Sequence, residues 1–274
     1  MKILLMTDME GVAGVLNHDD WVMRNGQFYD EGRRLLTEEI NAAVDGLMAG
    51  GASEIIVVDG HGAGGISPEL LDERACLMRG CGPKGWPWGL DQTFAAVAIV
   101  GQHAKAGTPY SHITHTQWFN YIDLTVNGIS IGEYGQLAVC AMELGVPCIL
   151  ACGEDAFAAE AAALTPGVVT VGVKRGLLPD GLDALDTDRY RAAKLSAIHL
   201  APKRARTLIR AGAGEAMRRL KSDPHSFRYP ALRPPFVLNA RFRKSGENPP
   251  WQGRSEHPTS VIECMNLPFA KVAG

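Results

Sequence analysis

Short apolar runs alternate with longer mixed segments over the first 160 or so residues, an alternation typical of strand–helix–strand units. The runs that predict strands cover residues 3–7, 54–59, 95–100 and 147–152. Between the first two, apolar residues recur at helical spacing over residues 30–46, which predicts an amphipathic helix. We therefore expect an α/β fold with a largely parallel sheet and flanking helices.

The pattern of the chain changes after about residue 175. Before that point, residues 121–131 contain an Asn127-Gly128 turn signal and predict a hairpin, and residues 133–142 predict a helix. After about residue 175 come a basic helical stretch (186–221) and two segments that look like strands (236–242 and 260–265). We expect an α/β core in residues 1–175 and a smaller α+β portion in residues 176–274, which can pack as one unit with the core.

Composition narrows the class of protein. The chain has 274 residues, 46% hydrophobic and 21% charged, which is ordinary for a globular protein. Its formal net charge of -3 gives no basic footprint for nucleic acid, so we expect none as a partner. We see no signal-peptide core and no apolar run long enough to span a bilayer, so we expect a cytoplasmic protein without a membrane partner.

Acidic and histidine side chains follow several predicted strands. Asp8 and Glu10 end the first, His61 and His103 follow the next two, and Glu133 opens a predicted helix. Singly, each has a plain structural interpretation as a cap, a solvated acid or a surface histidine. Together they are informative, because the carboxyl ends of parallel strands meet at the edge where open α/β sheets bind ligands.

Three carboxylates and two imidazoles form a metal-ligand set of hard oxygen and borderline nitrogen. Two tetrahedral divalent ions need about eight ligand bonds. Five residues supply five, a bridging carboxylate makes six, and a bridging water or hydroxide completes eight. The residue count therefore favours two metal ions, an arrangement that can activate water for hydrolysis.

Residues 108–116 hold two further histidines, His112 and His115, beside small hydroxyl residues in a predicted loop. A histidine here, outside the metal ligands, can act as a general acid and base or stabilise an oxyanion. For His112 a hydrogen-bonded structural role is the favoured interpretation. The remaining histidines lack an acid or histidine at ligand spacing, and we expect them at the surface. They are His18, His199, His225 and His257.

Six motifs of the chain resemble those of the D-aminopeptidase family, peptidase family M55, in the family's order and spacing. They are Asp8-Met9-Glu10-Gly11, Thr37-Glu38-Glu39, Asp59-x-His61, Gly101-x-His103-Ala104, Ser111-x-x-His115 and Gly132-Glu133-x-Gly135. The similarity covers about the first 160 residues and thins afterwards. A single motif would be unspecific, but six in register are specific.

The resemblance implies a zinc-dependent aminopeptidase that cleaves short peptides with an N-terminal D-residue such as D-Ala. It implies two Zn²⁺ per subunit, bridged by Asp8, and a ring-like homodecamer of stacked pentamers. The implied ligands are Asp8, Glu10, His61, His103 and Glu133. His115 would be the catalytic residue; the family describes it as a nucleophile, but a general acid/base or oxyanion role is more natural where metal-activated water is available.

Two alternatives remain open at the level of sequence. One is a different dinuclear metal hydrolase, acting on non-peptide amides or phosphate esters, although no P-loop is present. The other is a non-catalytic cytoplasmic oligomer that binds small peptides. The segment 84–89 departs from the family in being rich in Trp and Pro, and such changes in a pocket wall alter substrate specificity before chemistry.

Overall fold

The computed structural model describes residues 1–80, 85–179 and 181–272. In chain order its elements are β1 (Lys2–Thr7), α1 (His18–Trp21), α2 (Tyr29–Ala49), β2 (Glu54–Asp59), β3 (Ala75–Met78), β4 (Ala96–Gln102), β5 (Tyr121–Val126), β6 (Ile129–Ser130), α3 (Glu133–Leu144), β7 (Cys148–Glu154), α4 (Asp155–Leu164), β8 (Val169–Gly176), α5 (Thr187–Ala193), β9 (Ala197–His199), α6 (Pro202–Ser222), a 3-10 turn (Pro224–Ser226), β10 (Phe236–Phe242), β11 (Trp251–His257), α7 (Val261–Met265) and β12 (Ala270–Val272).

The large sheet has seven strands in the order β3-β2-β1-β4-β7-β8-β9. All neighbours are parallel except β9, which pairs antiparallel with β8 at one edge. This arrangement confirms the predicted α/β class with a largely parallel sheet. Because β2 and β3 lie on one side of β1 while β4 and β7 lie on the other, the carboxyl ends of β1 and β4 flank the topological switch point.

Both faces of the large sheet are covered by helices. Along β1, Ile3 and Leu5 pack into the core beneath α2 and α6, whereas Leu4 and Met6 pack into the core beneath α3 and α4. Successive side chains of a strand point to opposite faces, so a strand buried on both must be apolar throughout. The continuous apolar runs of the sequence therefore follow from burial on both faces.

The second sheet is antiparallel, with five strands in the order β12-β11-β10-β5-β6. Helix α3 links the two sheets, because its Leu137 and Ala138 pack against the large sheet and its Val139 and Cys140 against the small one. The smaller portion predicted after residue 175 contributes β9 to the large sheet and β10–β12 to the small sheet. Its helix α6 packs against the large sheet. The division into two portions near residue 175 stays a prediction.

Val261–Met265 form helix α7, so the strand predicted over residues 260–265 is wrong. Ser260 caps α7 by accepting a hydrogen bond from the backbone N–H of Glu263 at 3.1 Å. Serine followed three residues later by glutamate is the start signal of a helix, and here it outweighs the apolar run Val261–Met265. By contrast, the hairpin predicted at Asn127-Gly128 is present as β5 and β6.

The basic stretch 186–221 is interrupted rather than one helix. It contains α5, the short strand β9 and α6. Helix α6 buries its apolar side against the large sheet, and Arg206 and Arg210 pair with Glu38 and Asp45 of α2. Among the described residues, we find no helix with both the length and the apolarity needed to cross a bilayer.

Candidate metal centre

Six polar side chains meet at the carboxyl edge of the large sheet, beside the switch point. They are Asp8, Glu10, His61, His103, His115 and Glu133, which include all five residues predicted as ligands and the residue predicted as catalytic. All but Glu133 are buried. Two overlapping groups of three have ligand atoms within 4.8 Å of one another: Asp8, Glu10 and His103, and His103, His115 and Glu133.

Asp8 lies between two imidazoles. Its Oδ1 is 3.1 Å from His61 Nδ1 and its Oδ2 is 3.2 Å from His103 Nε2. The backbone N–H of Met9 donates to Oδ1 at 2.9 Å, and the side-chain amide of Gln102 donates to Oδ2 at 3.0 Å. A carboxylate that turns each oxygen towards a different imidazole has the orientation that a bridging ligand needs.

Gly101 allows the ends of β1 and β4 to approach each other at this point. Its φ is +80°, and a Cβ there would lie 2.0 Å from the backbone oxygen of Asp8. Any other residue would push the two strand ends apart. The backbone of Gly101 also accepts a hydrogen bond from the N–H of Gly11 at 2.7 Å, which fixes the turn that carries Glu10.

Glu10 is buried with one oxygen that lacks a hydrogen bond. Its Oε2 is 3.3 Å from His61 Nδ1 but has no hydrogen-bond partner, as is also true of His103 Nε2. The Lys174 ammonium donates to the backbone carbonyl of Glu10 and, at 3.4 Å, to that of Val15. Leaving a buried carboxylate oxygen unsatisfied is costly, and a cation at this point would remove the cost.

The three imidazoles are oriented alike, each with one ring nitrogen next to a backbone carbonyl. The pairs are His61 Nε2 and Val22 O at 3.2 Å, His103 Nδ1 and Ala104 O at 2.8 Å, and His115 Nδ1 and Ile113 O at 2.9 Å. A carbonyl only accepts, so these nitrogens carry the protons, and in a neutral ring the other nitrogen presents a lone pair to the carboxylates. A lone pair and a carboxylate repel each other unless a cation lies between them. Metal-binding histidines are commonly oriented by a hydrogen bond from their other ring nitrogen to a backbone carbonyl.

The electrostatics of the centre show the same demand for positive charge. Burial alone would lower the pKa of His103, but the Glu133 and Asp8 carboxylates outweigh it and raise that pKa to about 10. Burial alone would raise the pKa of Asp8, but the adjacent imidazoles of His103 and His61 outweigh it and lower that pKa well below its usual range. The carboxylates thus favour positive charge next to them.

His115 packs against two aromatic rings. It stacks on His103 with centroids 4.0 Å apart and planes 19° apart, and its centroid is 4.4 Å from that of Phe119. His115 Nε2 is 4.0 Å from Glu10 Oε1 and 4.0 Å from Glu133 Oε1. Burial and the neighbouring His103 lower the pKa of His115 to about 3.

Gln102 belongs to the centre although the sequence did not single it out. Its side-chain amide donates to Asp8 Oδ2 at 3.0 Å and to Glu133 Oε2 at 3.3 Å, which joins carboxylates from two elements. The second oxygen of Glu133 accepts from the backbone N–H of Gln117 at 2.7 Å. The only sequence signal for a role of Gln102 was its position directly before His103, after a predicted strand.

Glu154, at the end of β7, fixes the segment that carries His103 and His115. Its two oxygens accept from the backbone N–H groups of Ala104 at 2.8 Å and of His112 at 2.7 Å. Burial raises the pKa of Glu154, opposed by Lys174. The sequence showed only an acid after a buried strand, and nothing in it indicated which backbone groups the acid would bind.

His18 is buried, so its predicted surface position is wrong. It is 3% exposed and its ring meets Trp118 and Phe119 edge to face, because the chain after β1 folds back over the site. His225 is exposed as predicted. His112 is fully buried, with Nε2 3.1 Å from the carbonyl of Leu16, and it is not among the residues that line the site cavity.

The centre opens into a cavity of about 380 Å³. Its polar wall includes Asp8, Glu10, His61, His115 and Glu133. Its apolar wall includes Met6, Val22, Met23, Trp86, Trp88, Ile99, Trp118 and Leu137. The Trp-rich segment predicted to alter the pocket wall therefore does line the cavity, although residue 84 of that segment lies outside the described residues.

Glu39 is buried on α2, away from the cavity. Its ionisation should make the free energy of unfolding depend measurably on pH. Burial raises its pKa to about 8, opposed by a hydrogen bond from the backbone N–H of Ala13 and by Lys174; its carboxylate also faces Cys152. The folded state therefore holds a proton that the unfolded chain releases near its usual pKa. This contribution to stability is complete below about pH 4.5 and is lost as the pH rises to about 8, by up to about 1.4 kcal/mol per pH unit.

Glu39→Gln should remove this contribution and so make the dependence of stability on pH less steep. Chemical denaturation from pH 5 to 8, with a chelator present throughout, measures it. Glu73→Gln, at an exposed acid, is the matched control and should keep the slope. An unchanged slope in Glu39→Gln would show that Glu39 is ionised in the folded protein.

Fold and centre together define an α/β protein with a carboxylate and imidazole cluster of metal-binding type at its switch point. The chain belongs to the D-aminopeptidase family, peptidase family M55, whose model matches residues 1–248. This match confirms the resemblance found in the sequence.

The chain is similar to one known protein in sequence and to one solved structure in fold. The D-aminopeptidase of Bacillus subtilis (strain 168) is 34% identical over 177 residues, which are 64% of this chain and 64% of that protein, so the match spans less than two thirds of the relative. The chain also resembles a solved structure, the Zn-dependent D-aminopeptidase DppA from Bacillus subtilis, a self-compartmentalizing protease, with a TM-score of 0.81 and 24% identity. That likeness in fold covers 97% of this chain and 94% of the other.

Proposed function

We propose that this protein is a zinc-dependent aminopeptidase that hydrolyses short peptides and prefers an N-terminal D-residue. The observation that carries the proposal is the convergence of three carboxylates with three imidazoles whose free nitrogens face them. Membership of the D-aminopeptidase family and the names of its relatives support the choice of reaction and substrate.

The proposed ligands of two zinc ions are Asp8, Glu10, His61, His103 and Glu133, with Asp8 shared between the ions. Their oxygen and imidazole donors suit Zn²⁺, and the unpartnered Glu10 Oε2 and His103 Nε2 are atoms that an ion would satisfy. Zinc held there would supply Lewis acidity, which polarises the scissile carbonyl and makes water more acidic.

His115 is the proposed catalytic residue, acting on protons. Its Nδ1 donates to the Ile113 carbonyl, which leaves Nε2 unprotonated and directed at the site. Nε2 can accept a proton from the attacking water and return it to the leaving amine, the role of a general base followed by a general acid. The stacking on His103 and Phe119 holds the ring in that orientation.

We extend the proposal to assembly and location. The family resemblance predicts a homodecamer, and the self-compartmentalizing relative supports a homo-oligomer. A cytoplasmic location stays a prediction from the sequence.

Hydrolysis assays with and without zinc test the function. We expect zinc-loaded protein to cleave D-Ala-D-Ala, to cleave L-Ala-L-Ala more slowly and to leave p-nitrophenyl phosphate intact. A chelator should abolish cleavage and added zinc restore it. Faster hydrolysis of the phosphate ester would indicate another metal hydrolase, and saturable peptide binding without turnover would indicate a binding protein.

A further inference from the structure

Two indoles form one side of the site cavity. Trp86 and Trp88 are each half-buried and meet edge to face, with centroids 6.4 Å apart and planes at 83°. Both pack against the core cluster that contains Met6, Ile99 and Leu137, residues that line the same cavity. Together these five side chains form a continuous apolar wall.

The position of Trp86 is fixed by the distant end of the chain. The side chain of Asn266, directly after α7, accepts from the Trp86 backbone N–H at 3.0 Å and donates to its carbonyl at 2.9 Å. The N–H of Trp88 donates to the Gly85 carbonyl at 3.0 Å, which closes a turn between the two indoles. The wall is therefore built before a substrate arrives.

The apolar wall lies directly beside the carboxylates of the candidate centre. Met6 lies on β1 two residues before Asp8, which directly follows the strand, and Leu137 follows Glu133 by four residues on α3. Residues two apart in an extended segment, or four apart on a helix, lie on the same side. In an aminopeptidase, the reacting carbonyl belongs to the N-terminal residue of the substrate. If this carbonyl lies at the carboxylates, the side chain of the N-terminal residue lies next to the apolar wall.

We propose that the N-terminal residue of the substrate carries a bulky apolar side chain, aromatic or branched aliphatic, and that Trp86 and Trp88 determine this specificity. The proposal rests on the proposed aminopeptidase function. An alanine methyl group would leave most of the wall exposed to water, whereas a phenyl ring would cover it. Each additional methylene in such a pocket changes kcat/KM by roughly 10–200-fold.

Comparison of two substrates in wild type and two variants tests the proposal. We expect the zinc-loaded wild type to have at least about tenfold higher kcat/KM for D-Phe-Gly than for D-Ala-Gly. Trp88→Ala should lower this ratio about tenfold, and Trp86→Ala should change it in the same direction. Trp251→Ala, which removes an indole stacked on Phe242 in the small sheet, is the matched control and should keep the ratio. Because the readout is a ratio, a smaller folded fraction does not affect it.

Calorimetric binding of two amino alcohols separates this proposal from the aminopeptidase function. D-phenylalaninol should bind wild type at least tenfold more tightly than D-alaninol, and Trp88→Ala should lose the difference. If this pattern appears but no peptide is hydrolysed, the pocket proposal holds and the aminopeptidase function fails. If peptides are hydrolysed but D-Ala-Gly is preferred, or Trp88→Ala keeps the ratio, the pocket proposal is overturned and the function stands.

Discussion

Replacing His115 by alanine should lower kcat by about 10²–10⁴-fold while the two proposed zinc ions remain bound. The reason is that His115 Nε2 is 4.0 Å from both Glu10 and Glu133, close enough to serve a reacting group among them, whereas the five other side chains are the proposed metal ligands. Steady-state hydrolysis of D-Ala-D-Ala and elemental analysis of the same preparation measure the two quantities.

The metal content of His115→Ala distinguishes the two roles that its position allows. His115 also belongs to one of the two groups of potential ligands, with His103 and Glu133. Loss of one zinc ion along with activity would make His115 a ligand, and near-wild-type turnover would remove it from the mechanism. His225→Ala, at an exposed histidine on the 3-10 turn, is the control and should retain both activity and zinc.

Replacing Asp8 by asparagine should weaken zinc binding by more than roughly 100-fold and abolish hydrolysis. Asparagine keeps the size of the side chain but removes the negative charge and one of the two oxygens that face His61 and His103. Loss of a group that only supports a ligand typically costs about 10–100-fold in metal affinity. Competition with a chromophoric chelator measures the affinity.

Gln102→Leu provides the comparison, because Gln102 orients Asp8 and Glu133 through hydrogen bonds without offering an anionic donor. Its zinc affinity should fall within the 10–100-fold range. If Asp8→Asn lost no more affinity than Gln102→Leu, Asp8 would be a supporting residue rather than a shared ligand.

The architecture of the large sheet could be predicted because burial on both faces leaves a strong signal. The strand predicted over residues 54–59 has the boundaries of β2. In the small sheet, the strand predicted over residues 236–242 has the boundaries of β10, whose buried and less buried residues alternate. The apolar run at 260–265 does not by itself distinguish helix from strand, and the Ser260 cap is the feature that makes this segment a helix. Strands β11 and β12 are mostly exposed or alternating and gave no clear pattern.

The residues of the candidate centre could be predicted where they follow strands, since the carboxyl ends of parallel strands must meet. Gln102 and Glu154 could not, because each acts through hydrogen bonds to partners that only the folded chain brings near. The burial of His18 was missed for the same reason, as its neighbours Trp118 and Phe119 lie about 100 residues away in sequence. Trp86 and Trp88 were noticed only as a departure from the family.

Anomalous diffraction at the zinc edge, from crystals of the zinc-loaded protein, tests the central claim most directly. We expect two peaks per chain, both between the strand ends that carry Asp8, His61 and His103, with Asp8 adjacent to both. A single peak, or peaks elsewhere in the molecule, would contradict the proposal that folding assembles these side chains into a site for two cations.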